Sequence, residues 1–178
     1  MTAAPVHILT LSGSLRRRSR HSALLEAAEL AAPSGVRASL FHGLGDLPHF
    51  NPDHEDRPPV SVLAFQRALA LADAVLICCP EYAHGVPGAF KNALDWVVGS
   101  GELVNKPVGL LNASAGGEHA QESLKETLRV MSARIVLAAC LQVALSGPVQ
   151  PASVLVTLPE VTASLREAVQ ALARAAHV

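Results

Sequence analysis

Ten residues near the start of the chain, positions 12–21, combine three serines with four arginines and precede a helical pattern. Basic side chains at a helix start are unfavourable, because the helix dipole already places positive charge there. A bound anion reverses that argument, and serine hydroxyls, guanidinium groups and free backbone N–H groups together favour a phosphate. The alternative interpretation is a solvated basic turn whose serines cap the helix.

Two absent motifs narrow the kind of phosphate ligand. No Gly-Lys-Ser/Thr sequence follows this first loop, so it is not a Walker A motif. The Gly-x-Gly-x-x-Gly fingerprint of dinucleotide sites is missing as well. A phosphate site in the first loop without either motif favours a mononucleotide.

A second distinctive loop, residues 80–88, contains two prolines and two glycines. These residues fix an unusual backbone path, against which a flat ligand could pack while it forms main-chain hydrogen bonds. Tyr82, the only tyrosine of the sequence, is placed to flank such a ligand. The alternative is a tight turn into a helix with Pro87 in its first turn. His84 by itself is more often a solvated side chain.

A third loop, residues 112–118, includes Ser114 and the pair Gly116 and Gly117. Paired glycines after a strand allow the backbone to approach a ligand closely. Their alternative role is a turn before a helix, in which Glu118 would be favourable near the positive helix end.

The elements that position these loops are apolar runs alternating with helical patterns. The predicted strands are residues 6–11, 36–41, 74–79, 108–113 and 135–145. The predicted helices carry apolar stripes over residues 24–32, 62–72, 90–98, 124–131 and 161–172. This alternation predicts one α/β domain over residues 1–178, with a parallel sheet covered by helices on both faces. Ligands of such sheets bind at the carboxyl ends of the strands, where the three loops lie.

Composition argues against several classes of protein. A hydrophobic fraction of 50% with 16% charged residues favours a folded domain, and a net charge of −1 disfavours nucleic-acid binding. No apolar run approaches the length of a membrane span, and no signal-peptide pattern is present. The three cysteines lack framework spacing, and Cys78 and Cys79 are interpreted as small buried hydrophobes. We therefore expect a cytoplasmic protein without membrane or nucleic-acid partners.

Two other kinds of site are disfavoured. His42, His49, Asp53 and His54 share the long polar stretch 42–59, but they lack the spacing of a zinc motif, so we expect no metal. A serine hydrolase is disfavoured because Gly-x-Ser-x-Gly is absent. Stretches of this length inside compact domains are usually functional or poorly ordered. The sequence does not assign the stretch a role.

The three loops together resemble those of the NADPH-dependent FMN reductases, whose relatives reduce quinones, azo dyes and chromate. The segments that carry the resemblance are Gly13-Ser14-Leu15-Arg16 with Ser19, Pro80-Glu81-Tyr82, Pro87-Gly88, Lys91-Asn92-Ala93, Asp95-Trp96, and Ser114 with Gly116-Gly117. The resemblance implies a flavodoxin-like doubly wound fold, a five-stranded sheet of order 2-1-3-4-5, FMN as cofactor and NADPH or NADH as co-substrate. The implied reaction passes hydride equivalents through bound FMN, in a ping-pong scheme, to a flavin, quinone, azo compound or metal oxyanion.

The resemblance also implies which residues bind the cofactor. The first loop would hold the phosphate, the second would line the flavin ring largely through its main chain, and the third would complete the site. The implied residues are Ser12, Ser14, Leu15, Arg16, Ser19, His21, Pro80, Glu81, Tyr82, Ala83, His84, Gly85, Ser114, Gly116 and Gly117. His21 stands where the family frequently has asparagine. No catalytic side chain is expected, because the flavin carries the chemistry.

The sequence leaves alternatives open for the oligomeric state and for whether the protein is an enzyme. Members of this family are commonly homodimers or homotetramers, and an apolar helix region around Phe90, Leu94 and Trp96 suggests a surface for such an assembly. The alternatives to an enzyme are a flavodoxin-type electron carrier and a flavin-binding protein without activity. Carriers tend to be strongly acidic, which a net charge of −1 does not favour.

Overall fold

The predicted strand regions form one parallel sheet in the computed structural model, which describes residues 4–177. Residues 1–3 and 178 of the predicted domain lie outside the described residues. The strands are β1 (Val6–Ser12), β2 (Val36–Leu40), β3 (Ala74–Cys78), β4 (Pro107–Asn112), β5 (Arg134–Ile135) and β6 (Leu141–Gln142). Their order is β2-β1-β3-β4-β5, with β6 also paired to β4, which confirms the predicted order 2-1-3-4-5.

Helices cover both faces of the sheet, as the alternating pattern predicts. They are α1 (Arg20–Ala31), α2 (Val60–Ala70), α3 (Gly88–Asp95), α4 (Glu118–Val130), α5 (Ala152–Leu155) and α6 (Pro159–Ala176). One core holds residues of α2, α3 and α4, and the other holds residues of α1, α5 and α6. Alternate residues of β3 belong to different cores. Val75 and Ile77 pack in the core on one face of the sheet, and Leu76 and Cys78 pack in the core on the other. In residues 4–177 no helix combines the length and apolar character needed to cross a bilayer.

The edge of the sheet differs from the sequence prediction of one strand over residues 135–145. A 3₁₀ turn, Leu137–Ala139, divides that region into β5 and β6. Ala139 packs on Gly109 of β4, where an added Cβ atom would lie only 2.7 Å from the Ala139 Cβ. Because a side chain at position 109 would exclude the turn, glycine is what permits the interruption, and the single-strand prediction is wrong.

The adjacent cysteines set the path of the first loop. Cys78 and Cys79 are buried, and burial raises the pKa of the Cys79 thiol to about 12, so it is protonated and inert at neutral pH. A Cβ atom at Gly13 would lie 2.3 Å from the Cys79 Sγ, so only glycine fits there. That close approach lets the Gly13 amide donate to the Cys78 carbonyl at 2.9 Å. The interpretation of these cysteines as buried hydrophobes is confirmed.

The stretch 42–59 is held against the α3 region by the side chains of Asn92 and Trp96, two residues of the segments that carry the family resemblance. Asn92 accepts a hydrogen bond from the Phe50 amide at 2.8 Å and donates one to the Pro48 carbonyl at 2.9 Å. The Trp96 indole N–H donates to the same Pro48 carbonyl at 2.8 Å, and the Phe50 ring meets the indole edge-on. Asn92 and Trp96 thus hold the stretch in place rather than contacting the cleft described below.

This attachment brings the stretch 42–59 against the first loop. A Cβ atom added at Gly45 would lie 3.6 Å from the Leu15 side chain, so the two loops lie next to each other at these residues. Leu44 and Leu47 on either side of Gly45 are buried in the core. The stretch is therefore a structured support for the first loop.

The apolar helix region suggested as an assembly surface is instead part of the interior. Phe90 and Leu94 are each 1% exposed and Trp96 is 4% exposed within the single chain. Their side chains join the core between the sheet, α2 and α4. The prediction of an intersubunit surface at these three residues is wrong, because a stripe that is buried by the chain itself offers nothing to a partner.

Candidate functional site

The three loops meet at the carboxyl edge of the sheet and line a cleft of about 330 Å³. The cleft is lined by Ser14, Arg16, Arg18, Ser19, Arg20, His21, Pro80, Tyr82, Ser114 and Val149. Seven of the residues predicted to bind the cofactor are in this lining. The other eight, which lie in the same loops outside the lining, are Ser12, Leu15, Glu81, Ala83, His84, Gly85, Gly116 and Gly117.

Serine hydroxyls shape the first loop from inside. Ser19 is the N-cap of α1, and its side chain accepts hydrogen bonds from the amides of His21 and Ser22. The Ser12 and Ser22 hydroxyls are 2.8 Å apart and share a hydrogen bond, and the Arg16 amide donates to the Ser14 hydroxyl at 3.3 Å. This network fixes the backbone from which the arginine side chains project.

The arginines of the first loop divide into two groups. The Arg20 guanidinium donates to the Gly147 carbonyl at 2.7 Å and so ties the segment after β6 to α1. Within residues 4–177, the Arg16, Arg17 and Arg18 side chains have no hydrogen-bond or ion-pair partner, and all three are exposed. Unneutralised guanidinium groups beside a helix N-terminus are the arrangement that a phosphate stabilises.

His21 adds a buried polar atom to the same end of the cleft. Its residue is 9% exposed, and its Nε2 has no hydrogen-bond partner among residues 4–177. Burial, together with the adjacent Arg20 guanidinium, lowers the pKa of His21 to about 4, so the imidazole is neutral at pH 7. An unpartnered buried nitrogen is costly unless a ligand completes it, so this atom fits a polar group bound in the cleft.

The second loop is a tight two-residue turn with a fixed backbone. The amides of Tyr82 and Gly85 each donate to the other's carbonyl, at 3.0 and 2.9 Å. Ala83 and His84 between them have φ values of 49° and 60°, which is the left-handed region. Such a conformation costs roughly 1–2 kcal/mol for each residue with a side chain, so the surrounding structure must enforce it. Strain of this kind concentrates at ligand-binding loops.

This turn carries Tyr82 to the mouth of the cleft. The tyrosine side chain lines the cleft beside Pro80, and the residue is 58% exposed. A ring held on a rigid turn and open to solvent offers a flat surface for another planar group. The placement agrees with the predicted flanking role, which remains a prediction.

Two contacts join the second loop to the start of α4. Glu81 accepts a hydrogen bond from the Ala120 amide at 2.8 Å and so satisfies one of the free donors of the helix. The His84 and His119 rings are stacked, with centroids 4.3 Å apart. The Glu81 side chain is therefore occupied in positioning the second loop relative to the third.

The third loop owes its shape to a residue that the sequence argument did not select. Asn112 accepts a hydrogen bond from the Ser114 amide at 3.0 Å and donates one to the Gly116 carbonyl at 2.7 Å. Gly117 follows with φ of 97°, a conformation for which glycine is required, and starts α4. Asparagine at the end of a strand before a Gly-Gly pair is the signal that could have identified this turn.

Arg18, Arg20 and Val149 also line the cleft although they are outside the predicted set. Arg18 and Arg20 belong to the basic loop, so composition already suggested them. Val149 lies in the segment after β6, whose sequence carries no motif, and only the tertiary fold brings it to the first loop. These three residues complete the cleft at its end near the start of α1.

A sheet of this order with an anion-favouring cleft at its carboxyl edge defines the flavodoxin-like class of mononucleotide-binding proteins. The chain belongs to the NADPH-dependent FMN reductase family, whose model matches residues 6–146. The resemblance stated from the loops is thereby confirmed, as is the expectation of an NAD(P)H-dependent oxidoreductase with FMN as its cofactor.

Individual relatives agree with this membership. A quinone reductase of Escherichia coli is 30% identical over 138 residues, which are 74% of this chain and 73% of that protein. An NAD(P)H-dependent FMN reductase of Pseudomonas aeruginosa is 36% identical over 129 residues, 69% of each chain. The solved structure of FerB, a flavoenzyme NAD(P)H:(acceptor) oxidoreductase from Paracoccus denitrificans, superimposes with a TM-score of 0.76 at 28% identity and 97% coverage of each chain.

Proposed function

We propose that this oxidoreductase takes electrons from NAD(P)H and delivers them to a small quinone-type acceptor, with FMN held in the cleft between the three loops. The observation that carries the proposal is that one cleft contains the exposed Tyr82 together with Arg16 and Arg18, whose guanidinium groups have no partner within residues 4–177. Quinone is favoured among the acceptors by relatives that are named quinone reductases, and one from Burkholderia is named 2-hydroxy-1,4-benzoquinone reductase.

The phosphate of FMN belongs at the α1 end of the cleft. Arg16 and Arg18 supply the positive charge, Ser14 supplies a hydroxyl, and the helix dipole adds to both. His21 Nε2 is buried without a hydrogen-bond partner among residues 4–177, and the phosphate would supply one. Because phosphate oxygens accept hydrogen bonds, the neutral imidazole would bind them as the tautomer that carries its proton on Nε2.

The flavin ring belongs at the Pro80 and Tyr82 end. The left-handed turn over Ala83 and His84 holds the loop backbone rigid, and the Glu81 contact to α4 fixes its distance from the Ser114 loop. When bound, FMN supplies hydride acceptance from NAD(P)H and electron delivery to the acceptor. The residues of this chain would orient the two ends of FMN, and because Tyr82 is 58% exposed at the mouth of the cleft, donor and acceptor would use the same opening in turn.

At the ring end, the cleft lining within residues 4–177 contains one titratable side chain, the Tyr82 phenol, which is exposed at the mouth where water is an alternative proton source. His21 is neutral and lies at the phosphate end, Glu81 is engaged with the Ala120 amide, and His84 is stacked on His119 outside the lining. We therefore assign the chain binding, orientation and electrostatic roles, with no indispensable proton donor.

We further propose a cytoplasmic homo-oligomer, dimer or tetramer. The three cysteines of residues 4–177 are free thiols, of which Cys78 and Cys79 are buried and Cys140 is partly buried, and this suits a reducing compartment. Val60 and Leu63 of α2 are exposed apolar residues one helical turn apart, as a subunit contact requires. Light scattering at micromolar concentration should give at least twice the mass of one chain, and a monomer would refute the proposed assembly.

Steady-state kinetics with FMN-loaded protein tests the proposed function. NADPH and NADH oxidation is followed with benzoquinone, an azo dye, free flavin and chromate as acceptors. We expect sustained turnover, the largest kcat/KM with the quinone, and parallel double-reciprocal plots, which are the signature of a shared cleft used in turn. A single stoichiometric oxidation without turnover would instead identify an electron carrier.

A further inference from the structure

The segment between β6 and α5 passes along the phosphate end of the proposed FMN cleft without secondary structure. Its two ends are fixed, because the Leu145 amide donates to the Ala113 carbonyl and the Leu155 amide donates to the Pro151 carbonyl, both at 3.1 Å. Between these ends, residues 146–150 form no backbone–backbone hydrogen bond within residues 4–177. We call residues 146–150 the strap.

Cavities border the strap where a better-anchored segment would pack against the core. Val149 lines the proposed FMN cleft, a neighbouring cleft of about 260 Å³ beside Glu26, and a third of about 160 Å³ beside Leu155. The other residues of the strap are exposed, namely Ser146, Gly147, Pro148 and Gln150. A segment with few buried contacts and no backbone hydrogen bonds opens at a lower free energy than the rest of the fold. The strap therefore depends on side-chain contacts to stay closed.

One side chain of the cleft holds the strap. The Arg20 guanidinium donates to the Gly147 carbonyl at 2.7 Å, and within residues 4–177 the strap has no other hydrogen bond. Gly147 has φ of 72°, so the turn that presents this carbonyl favours glycine. Arg20 is the first residue of α1 and lines the proposed FMN cleft. While Arg20 is engaged with the strap, Arg16 and Arg18 keep guanidinium groups without partners in residues 4–177.

We propose that Arg20 is a positioning residue that latches the strap over the phosphate end of the cleft, and that FMN enters and leaves only when this latch opens. The inference rests on the proposed function, which places the phosphate beside Arg16 and Arg18, where Val149 of the strap also lines the cleft. With the strap closed, FMN dissociates more slowly than the enzyme turns over. FMN therefore stays bound as a prosthetic group, and the acceptor is reduced in the cleft without release of reduced FMN.

Exchange of bound FMN against excess isotopically labelled FMN measures the latch without any turnover. Two variants open it in different ways, since Arg20→Gln removes the donor and Gly147→Ala puts a side chain on the left-handed residue. Arg134→Gln is the matched control for the first, because Arg134 likewise donates to a carbonyl, that of Ala175. Gly35→Ala is the control for the second, because Gly35 has φ of 83° and, as at Gly147, an added Cβ atom would meet nothing within 4 Å.

Wild type should exchange its FMN more slowly than it completes one turnover. Arg20→Gln and Gly147→Ala should each exchange at least about fivefold faster, the effect of one lost hydrogen bond or one strained residue, while both controls keep the wild-type rate. Gly147 does not line the cleft, and a gate changes entry and exit alike. In Gly147→Ala, association of FMN with the apoprotein should therefore accelerate by the same factor, and the dissociation constant should stay within about twofold of wild type.

The outcomes separate this inference from the proposed function. Wild-type exchange faster than turnover, or unchanged exchange in both latch variants, would overturn the inference and leave FMN binding intact. Faster dissociation with unchanged association in Gly147→Ala would also overturn it, because the strap would then be part of the binding surface instead of a gate. Equal acceleration in the controls would indicate general loosening of the fold and would overturn it as well. A wild-type protein that does not bind FMN would overturn the proposed function together with this inference.

Discussion

The Glu81 carboxylate accepts a hydrogen bond from the Ala120 amide at 2.8 Å, which joins the second loop to the first turn of α4. The N-cap of that helix is Gly117, which has no side chain to satisfy the free amides. Glu81, which is 39 positions before Ala120 in the sequence, therefore acts as the capping side chain of this helix. The contact links the stability of α4 to the geometry of the cleft.

Removal of this carboxylate should loosen both elements. Loss of a helix cap typically costs about 1 kcal/mol, so Glu81→Ala should lower the free energy of unfolding by about that amount. Urea denaturation measures it, with Glu122→Ala on the same helix as control, because the exposed Glu122 carboxylate pairs only with Lys125 among residues 4–177. Glu81→Gln keeps an acceptor oxygen and should recover most of the loss. Equal stability of Glu81→Ala and Glu122→Ala would contradict the capping role.

Charge reversal at Arg16 should weaken FMN binding far more than charge reversal at Arg37. Arg16 lines the cleft, whereas Arg37 is exposed on β2. Loss of a charge-assisted contact plus new repulsion should cost Arg16→Glu at least about 2 kcal/mol of FMN affinity. Fluorescence titration of the apoproteins gives both dissociation constants. Wild-type affinity in both variants would place the phosphate elsewhere.

His84 should prove dispensable as an acid or base. Its ring stacks on His119 and lies outside the cleft lining, and a general acid or base contributes about 10²–10⁴-fold in rate. His84→Ala should retain FMN and lose less than about 30-fold in kcat, which is below the lower end of that range. Rapid mixing with NADPH isolates flavin reduction. A fully loaded variant slowed by more than about 10³-fold would make His84 catalytic.

His21 should make the fold sensitive to acid. Burial, with a contribution from Arg20, lowers the pKa of His21 from 6.5 to about 4. Between those values the unfolded chain binds a proton that the folded chain does not, so the free energy of unfolding falls as the pH decreases. The loss attributable to His21 reaches up to about 2 kcal/mol at pH 5. His21→Asn should show a smaller loss between pH 7 and pH 5 in urea denaturation, and equal losses would contradict a buried neutral imidazole.

The sheet and the meeting of the three loops were predictable because both depend on local patterns. An apolar run such as residues 74–79 predicts a buried strand wherever it lies, and parallel strands place their following loops at one edge. The interruption at Ala139 was not predictable, since it depends on Gly109 of the neighbouring strand having no side chain. The hydrophobic pattern predicts which residues form strands and helices. It does not predict where a strand is interrupted by close packing against its neighbour.

The site itself was predictable in composition but not in detail. The apolar stripe of Phe90, Leu94 and Trp96 indicates burial, but a sequence does not distinguish burial in the chain's own core from burial in an interface. Val149 reaches the cleft only through the path of the chain after β6. The role of Glu81 depends on a partner that lies beyond β4 in the sequence. Each of these is a tertiary relationship without a local signal.

A paired titration of the apoprotein can show whether the basic cleft between the loops holds FMN by its phosphate. FMN and riboflavin share the isoalloxazine ring and differ only in the phosphate. Arg16, Arg18 and the N-terminus of α1 should give FMN an advantage of at least about tenfold in dissociation constant. Equal dissociation constants for the two ligands would contradict a phosphate site in this cleft.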